Sequence, residues 1–292
     1  KELSMCFNFH HLKIDYKDGK KWELMEPDLM RLKELFETWG TGMQEGNGWN
    51  ALFWCNHDQP RIVSRLGDED RYWKESAEML AASVHLMRGT PYIYQGEEIG
   101  MTNPHFDDIR QYRDVESLNY YRILLEQGKT SREAMDILQA RSRDNGRTPV
   151  QWNAGENAGF TTGTPWIGID KNYQTINAAA QRNDPDSILA FYKRLIQLRK
   201  EKKVIAEGEI AFLEKENANV LAYRRVLDGE ELIVFNNLTG HPAEVHLDEA
   251  WKNYSILLTN YEGEKSRTEE ALHQASGNTW TLRPYETLTL EK

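Results

Sequence analysis

Cysteine is nearly absent from this 292-residue chain, which carries only Cys6 and Cys55. Two thiols cannot build a disulfide framework, and their scarcity fits a reducing compartment, so a cytoplasmic location is expected. Both lie in apolar, strand-like runs, where a thiol behaves as a small inert hydrophobe. Apolar runs long enough to span a bilayer are also missing. So is an excess of positive charge: 46 acidic against 36 basic residues leave a formal net charge of -10, which disfavours nucleic acid and anionic membrane surfaces as partners. There is no internal repeat, no low-complexity tract, and no initiator methionine or signal peptide at Lys1-Glu2-Leu3. The chain is therefore expected to be part of something longer. What it has is 39% hydrophobic residues, sufficient for one large or two ordinary cores.

The segment Leu52-Phe53-Trp54-Cys55-Asn56-His57-Asp58-Gln59-Pro60-Arg61 carries the most information. Ala51 to Cys55 is too short for a helix and rich in aromatic residues, as expected of a parallel strand covered on both faces. It ends in a dense polar group, and Pro60 stops any ladder. At the end of a barrel strand, His57, Asp58 and Arg61 would converge on a pocket floor. Spacing alone leaves open a plainer alternative, in which Asp58 and Arg61 form a structural ion pair beside a core histidine.

Upstream, Leu3 to Phe9 reads as a strand. Pro27-Asp28 then opens a helix with Leu29, Leu32, Leu35, Phe36 and Trp39 on one face, ending at Gly40. Downstream, the spacing predicts a helix over Glu75 to Met87 and a strand at Tyr92-Ile93-Tyr94. Alternating strands and helices imply parallel sheet with right-handed crossovers. Residues 102–185 form a long polar stretch with one helical piece at Ser131 to Gln139, a length that suits a functional loop region. Ile188, Phe191, Leu195 and Leu198 mark another amphipathic helix. After Lys203 the pattern turns to short alternating strands at Val220–Tyr223, Leu232–Phe235, Val245–Leu247, Ser255–Leu258, Trp280–Leu282 and Thr287–Leu290, with a turn at Asp228-Gly229. Two domains are expected, 1–203 and 204–292.

The Asn56-His57-Asp58 segment resembles the fourth signature region of glycoside hydrolase family 13, the α-amylase family. Phe7-Asn8-Phe9-His10-His11, Thr90-Pro91-Tyr92-Ile93-Tyr94-Gln95-Gly96-Glu97-Glu98-Ile99-Gly100-Met101 and Ser142-Arg143-Asp144-Asn145-Gly146-Arg147-Thr148-Pro149-Val150-Gln151-Trp152 are similar to its α-glucosidase branch. The resemblance implies an α/β plus all-β chain: strands six to eight of a (β/α)8 TIM barrel, followed by an antiparallel β-sandwich. It implies a retaining hydrolase, which needs a nucleophilic carboxylate and an acid about 5 to 5.5 Å apart. Neither is matched in this chain; both would belong to a missing N-terminal half of the barrel, and the chain alone is expected to be inactive. The resemblance makes Asp58 the transition-state-stabilising carboxylate. His57, Arg143, Arg147 and, more loosely, Glu116 become substrate ligands, with Arg147 able to pair with Asp58 in an empty site.

Lys13, Lys17, Lys20 and Lys21 crowd the loop after the first strand, a basic anomaly on an acidic protein. A solvated face is the plain reading; lysines at a pocket mouth also suit a phosphate. His10-His11-Leu12-Lys13 and the Asp58 segment look most like the phosphate-specific α-glucosidases of the family, which makes Lys13 and Lys21 the phosphate ligands, with Lys17 and Lys20 left to solvent. The small-molecule partner would be a disaccharide phosphate. A 1,6-glucosidase acting on unphosphorylated sugar and a non-catalytic binding or scaffold protein remain the alternatives. Adjacent Glu97 and Glu98 would point to opposite faces and serve structure rather than catalysis. His10, His11 and Asp15 are poorly spaced for shared ligation, and no metal or other cofactor is expected.

Overall fold

The computed structural model describes residues 4–275 and 277–292; Leu3, where the first strand was expected to start, lies outside them. Three short strands, β1 (Cys6–Phe7), β2 (Asn50–Leu52) and β3 (Thr90–Pro91), form a parallel sheet in that order, with Phe7 opposite Ala51 and Leu52 opposite Pro91. Parallel neighbours need crossovers. These contain α1 (Leu29–Glu45) between β1 and β2, and α2 (Ile62–Leu66) and α3 (Trp73–His85) between β2 and β3.

Helix α1 starts where expected, with the Asp28 carboxylate accepting from the Arg31 amide as its cap, an arrangement that satisfies one orphan donor. It does not stop at Gly40 but runs on to a cap at Gly46. Gly40 is instead a point of close approach: a Cβ there would lie 2.9 Å from the Phe212 ring. The third strand also differs from expectation. It pairs at Thr90–Pro91, and Tyr92–Tyr94 carries no ladder. Beyond that pairing only the Tyr92 amide reaches β2, donating to the Leu52 carbonyl at 2.7 Å.

The stretch 102–185 is more ordered than its composition suggests. The expected helix is present as α5 (Ser131–Arg141), and a further helix, α4 (Val115–Glu126), packs against it. A short α6 (Ala178–Gln181), the amphipathic α7 (Ile188–Glu201) and α8 (Lys203–Glu207) complete this part.

The remaining chain forms β4 (Glu209–Leu213), β5 (Val220–Leu227), β6 (Glu230–Asn237), β7 (Ala243–His246), β8 (Ser255–Thr259), α9 (Lys265–His273), β9 (Thr279–Leu282) and β10 (Thr287–Glu291). Strand β4 and helix α9 were not anticipated. An antiparallel five-stranded sheet has the order β4-β5-β6-β10-β8, and β7 pairs with β9 alone. The β5–β6 hairpin turns through Asp228 and Gly229, both at positive φ, as a type I′ turn requires.

Alternation assigns the two faces of the large sheet. Val220, Ala222, Ile233 and Phe235 pack with Val245, Leu272 and Leu282 beneath the small sheet and α9. Leu221, Tyr223, Leu232 and Val234 face the other way, into a core shared with Leu80 and Val84 of α3 and Phe191 and Leu195 of α7. Tyr223 Oη donates to the Ser83 carbonyl at 2.9 Å, and the buried Arg225 guanidinium donates to the carbonyls of Leu86, Ile205 and Gly208. Among the described residues, no helix is long and apolar enough to cross a membrane.

Candidate active site

Past β2 the chain turns sharply through Asn56–Gln59: the Gln59 amide donates to the Asn56 carbonyl at 3.2 Å, and the Asn56 side chain accepts from the Asp58 amide at 2.8 Å. The turn lifts His57 and Asp58 off the strand end, leaving their side chains 72% and 45% exposed. Arg61 does not join them. Its side chain is buried and donates to the Gln95 and Thr148 carbonyls, below the turn. Neither sequence-based picture of this segment holds for Arg61: it is neither on the pocket floor nor paired with Asp58. Nor is His57 a core histidine.

A 3-10 turn at Arg143–Gly146, capped by the Ser142 hydroxyl on the Asp144 amide at 3.1 Å, brings the arginines opposite Asp58. Gly146 sits on the Asn56–Gln59 turn so closely that a Cβ would lie 2.4 Å from the Gln59 carbonyl oxygen. Arg147 Nη2 donates to Asp58 Oδ1 at 2.9 Å and Arg147 Nε to the His57 carbonyl at 2.7 Å. Arg143 Nη1 stands 3.6 Å from the same Asp58 oxygen, and His57 Nε2 3.4 Å from the other.

Helix α4 supplies the opposite wall. Its N-cap, Asp114, accepts from the Ser117 amide and hydroxyl, at 3.3 and 3.1 Å. The same carboxylate accepts from Arg143 Nη2 at 2.6 Å and Nε at 3.2 Å, and Arg147 Nη1 lies 3.8 Å away. Burial pushes the Asp114 carboxyl up, but the Arg143 guanidinium and the Ser117 donors outweigh it and hold it below the usual carboxylate range. Glu116, two residues on in the first turn, lies 3.3 Å from Arg143 Nε and accepts from Lys21 Nζ at 2.7 Å. Three carboxylates thus face three cations in one continuous network.

Lys21 and Lys13 occupy the loop after β1. That loop is pinned by Asp15, a buried carboxylate gripped by Arg65 of α2 and Arg141 of α5. Burial raises the Asp15 carboxyl, and the two guanidiniums more than reverse that, leaving it lowered. Lys13 is exposed on the His10–Lys13 turn, outside the network, and its ammonium has no ion-pair partner among the described residues. Lys20 pairs with Glu23. Beyond Lys21 a groove of about 1000 Å³ opens between this loop and α4–α5, lined by Trp22, Tyr120, Lys17 and Lys129. Trp22 and Tyr120 stack with centroids 4.7 Å apart.

Asp114, Arg65 and Arg141 were given no role from the sequence, and Asp15 was weighed only as a metal ligand beside His10 and His11. For Asp114 a signal existed: an Asp followed by Val115-Glu116-Ser117 reads as an N-cap with an acidic first turn. Other acids have local duties. Glu98 accepts from the Gly96 amide at 2.8 Å, and Glu97, buried, accepts from Tyr192 Oη at 3.0 Å. His11 is buried against the Phe53 carbonyl and its pKa falls to about 4, chiefly through burial. Among the described residues, no cluster of three or more His, Cys, Asp or Glu could hold a metal ion.

The family model for the α-amylase catalytic domain matches residues 1–208, and that for the α-amylase SusG C-terminal domain matches residues 220–288. A trehalose-6-phosphate hydrolase of Bacillus subtilis is 52% identical over 99% of this chain and 50% of its own length. An oligo-1,6-glucosidase of Halalkalibacterium halodurans is 44% identical over 98% of the chain and 50% of its own. The crystal structure of Bacillus licheniformis trehalose-6-phosphate hydrolase superposes with a TM-score of 0.92 at 51% identity, covering 99% of this chain and 51% of that one. The chain spans about half the length of the curated relatives it matches.

Proposed function

Because this chain belongs to the α-amylase family, we propose that the protein it forms part of is a retaining glycoside hydrolase that cleaves α,α-trehalose 6-phosphate to glucose and glucose 6-phosphate. The observation that carries the reading is the network at the end of β2, where Asp58 meets Arg143 and Arg147 while Lys21 closes the far edge through Glu116. The similarity to trehalose-6-phosphate hydrolases supports it.

In this reading β1 to β3 are strands six to eight of a (β/α)8 barrel, residues 1–203 belong to the catalytic domain and 204–292 to a C-terminal sandwich domain whose large sheet shares a core with α3 and α7. Asp58 is the fixed carboxylate that grips sugar hydroxyls and favours the positive charge developing on the ring. Without substrate it is held by Arg147; hydroxyls replace part of that contact as the sugar enters. His57, Arg143, Arg147 and Glu116 orient the two sugars, and Lys21 with Lys13 takes the phosphate. Lys21 supplies a charge already oriented by Glu116, and Lys13 an exposed ammonium on the same loop. The nucleophile and the acid belong to the part of the relatives' length that this chain does not cover, so this chain alone has no turnover. The two free cysteines suit a cytoplasmic enzyme.

The test is hydrolysis of trehalose 6-phosphate, trehalose and isomaltose by this chain alone and by the full-length protein. Turnover of the phosphorylated sugar by the full-length protein only, with a preference of about 100-fold, corresponds to roughly 2.7 kcal/mol of differential binding. Lys21→Ala and Lys13→Ala should remove that preference. Preference for isomaltose would replace the reading by a 1,6-glucosidase, which the 44% identical relative makes the nearest rival; no turnover of any of the three would leave a non-catalytic relative.

A further inference from the structure

We infer that Asp114 is the positioning residue of this site, holding Arg143 and Arg147 aimed at Asp58; its consequence for catalysis rests on the hydrolase reading above. The two arginines lie between two carboxylates of different character. Asp58 is 45% exposed and stands where a ligand can reach it, whereas the Asp114 side chain is 3% exposed and closed off from solvent. A guanidinium shared between them is oriented by the buried partner, whose own freedom is gone: the Asp114 carboxylate caps α4 through Ser117, and its backbone amide donates to Asp144 at 2.9 Å. Arg143 meets it through two nitrogens, the fork geometry that fixes a guanidinium plane.

The arrangement answers a problem of the site. Were Asp58 and the partly exposed Glu116 the only counter-charges, the arginines would be free to close on Asp58 and compete with sugar hydroxyls. With Asp114 behind them, Arg143 stays 3.6 Å from Asp58, and Arg147 makes a single hydrogen bond to it. Asp114 thus keeps the arginines oriented and leaves Asp58 available.

Asp114 is also a helix cap, and the experiment separates the two roles. Serine is as good an N-cap as aspartate, so Asp114→Ser keeps α4 while removing the charge; Asp114→Asn does the same with less change of shape. In the full-length protein both variants should keep the native melting temperature within a few degrees. Both should speed hydrogen exchange at the Arg143 Nε–H group, followed by nitrogen-15 NMR without substrate, while the Arg147 Nε–H, which donates to the His57 carbonyl, is the internal reference. They should also lower kcat/KM on the hydrolysed disaccharide by on the order of 10²-fold, as expected for about 1 Å of misplacement. Adding Arg143→Ala to Asp114→Ser should then cost little more than Arg143→Ala alone. Native Arg143 exchange in Asp114→Ser would reduce Asp114 to a cap and overturn the inference, as would an additive double variant. If the native protein hydrolyses none of the sugars, the hydrolase reading fails, and the exchange measurement still decides whether Asp114 holds Arg143.

Discussion

Glu97 should make the protein less stable as pH rises. Its carboxyl is buried between β3 and α7, with one oxygen accepting from Tyr192 Oη at 3.0 Å and the other without a partner. Burial lifts its pKa from 4.5 to about 7, against the Tyr192 hydrogen bond and the Arg61 charge, which lower it. Because the folded state holds this proton more tightly than the unfolded chain, no stability is lost below pH 4.5. The loss accumulates as pH climbs to about 7 and is constant above. At about 1.4 kcal/mol per unit the full penalty is about 3 kcal/mol, most of it entered between pH 5 and 8. Glu97→Gln keeps an acceptor for Tyr192 and cannot ionise. Urea unfolding of both proteins at pH 5, 6, 7 and 8 gives a difference curve from which the other titrating groups cancel. Native stability relative to the variant should fall by about 2 kcal/mol across that range. A curve flat to within about 0.5 kcal/mol would refute the argument, since it would mean the carboxyl titrates alike in both states.

Burial acts with the opposite sign on His11, whose pKa falls from 6.5 to about 4. The native protein should lose up to about 3 kcal/mol relative to His11→Gln as pH drops from 6.5 to 4, again read from urea midpoints. Gly146→Ala should push the arginine turn off the Asn56–Gln59 turn, because its Cβ would lie 2.4 Å from a backbone oxygen. The expected cost is on the order of 10²-fold in kcat/KM for the full-length protein, and unchanged kinetics would show that the loop gives without moving Arg147. Tyr223→Phe removes the hydrogen bond to the Ser83 carbonyl and should cost about 1 to 3 kcal/mol, because that buried acceptor is left bare; a smaller loss would point to a water replacing it.

Short-range chemistry was legible in the sequence. The βα alternation, the Asp28 cap, the Asp228-Gly229 turn and helices α3, α5 and α7 follow from periodicity and capping, which depend on neighbours in the chain. Features set by distant partners were not. Gly40 looks like a helix stop until Phe212 is seen lying over it. Arg61 is close to Asp58 in sequence, yet it turns inward because the Gln95 and Thr148 carbonyls need a donor. Helix α4 has a weak apolar pattern and is stabilised by packing on α5, as most protein helices are by tertiary contact. Within the site, Arg143, Arg147, Glu116 and Lys21 do meet, but Asp114, which links them, was hidden because its partners lie about thirty residues downstream.

The large antiparallel sheet has a consequence for how this protein could be rebuilt. With Tyr223 and Val234 on one face and Phe235 and Ile233 on the other, both surfaces are interior. Such a sheet is not a detachable module. Cutting the chain near Gly208 to transplant the C-terminal part onto another enzyme would strip α3 and α7 from a water-repelling surface and leave the Arg225 guanidinium without the Leu86 and Ile205 carbonyls. Exchange between relatives should therefore succeed only when α3, α7 and the sheet travel together as one unit of inheritance.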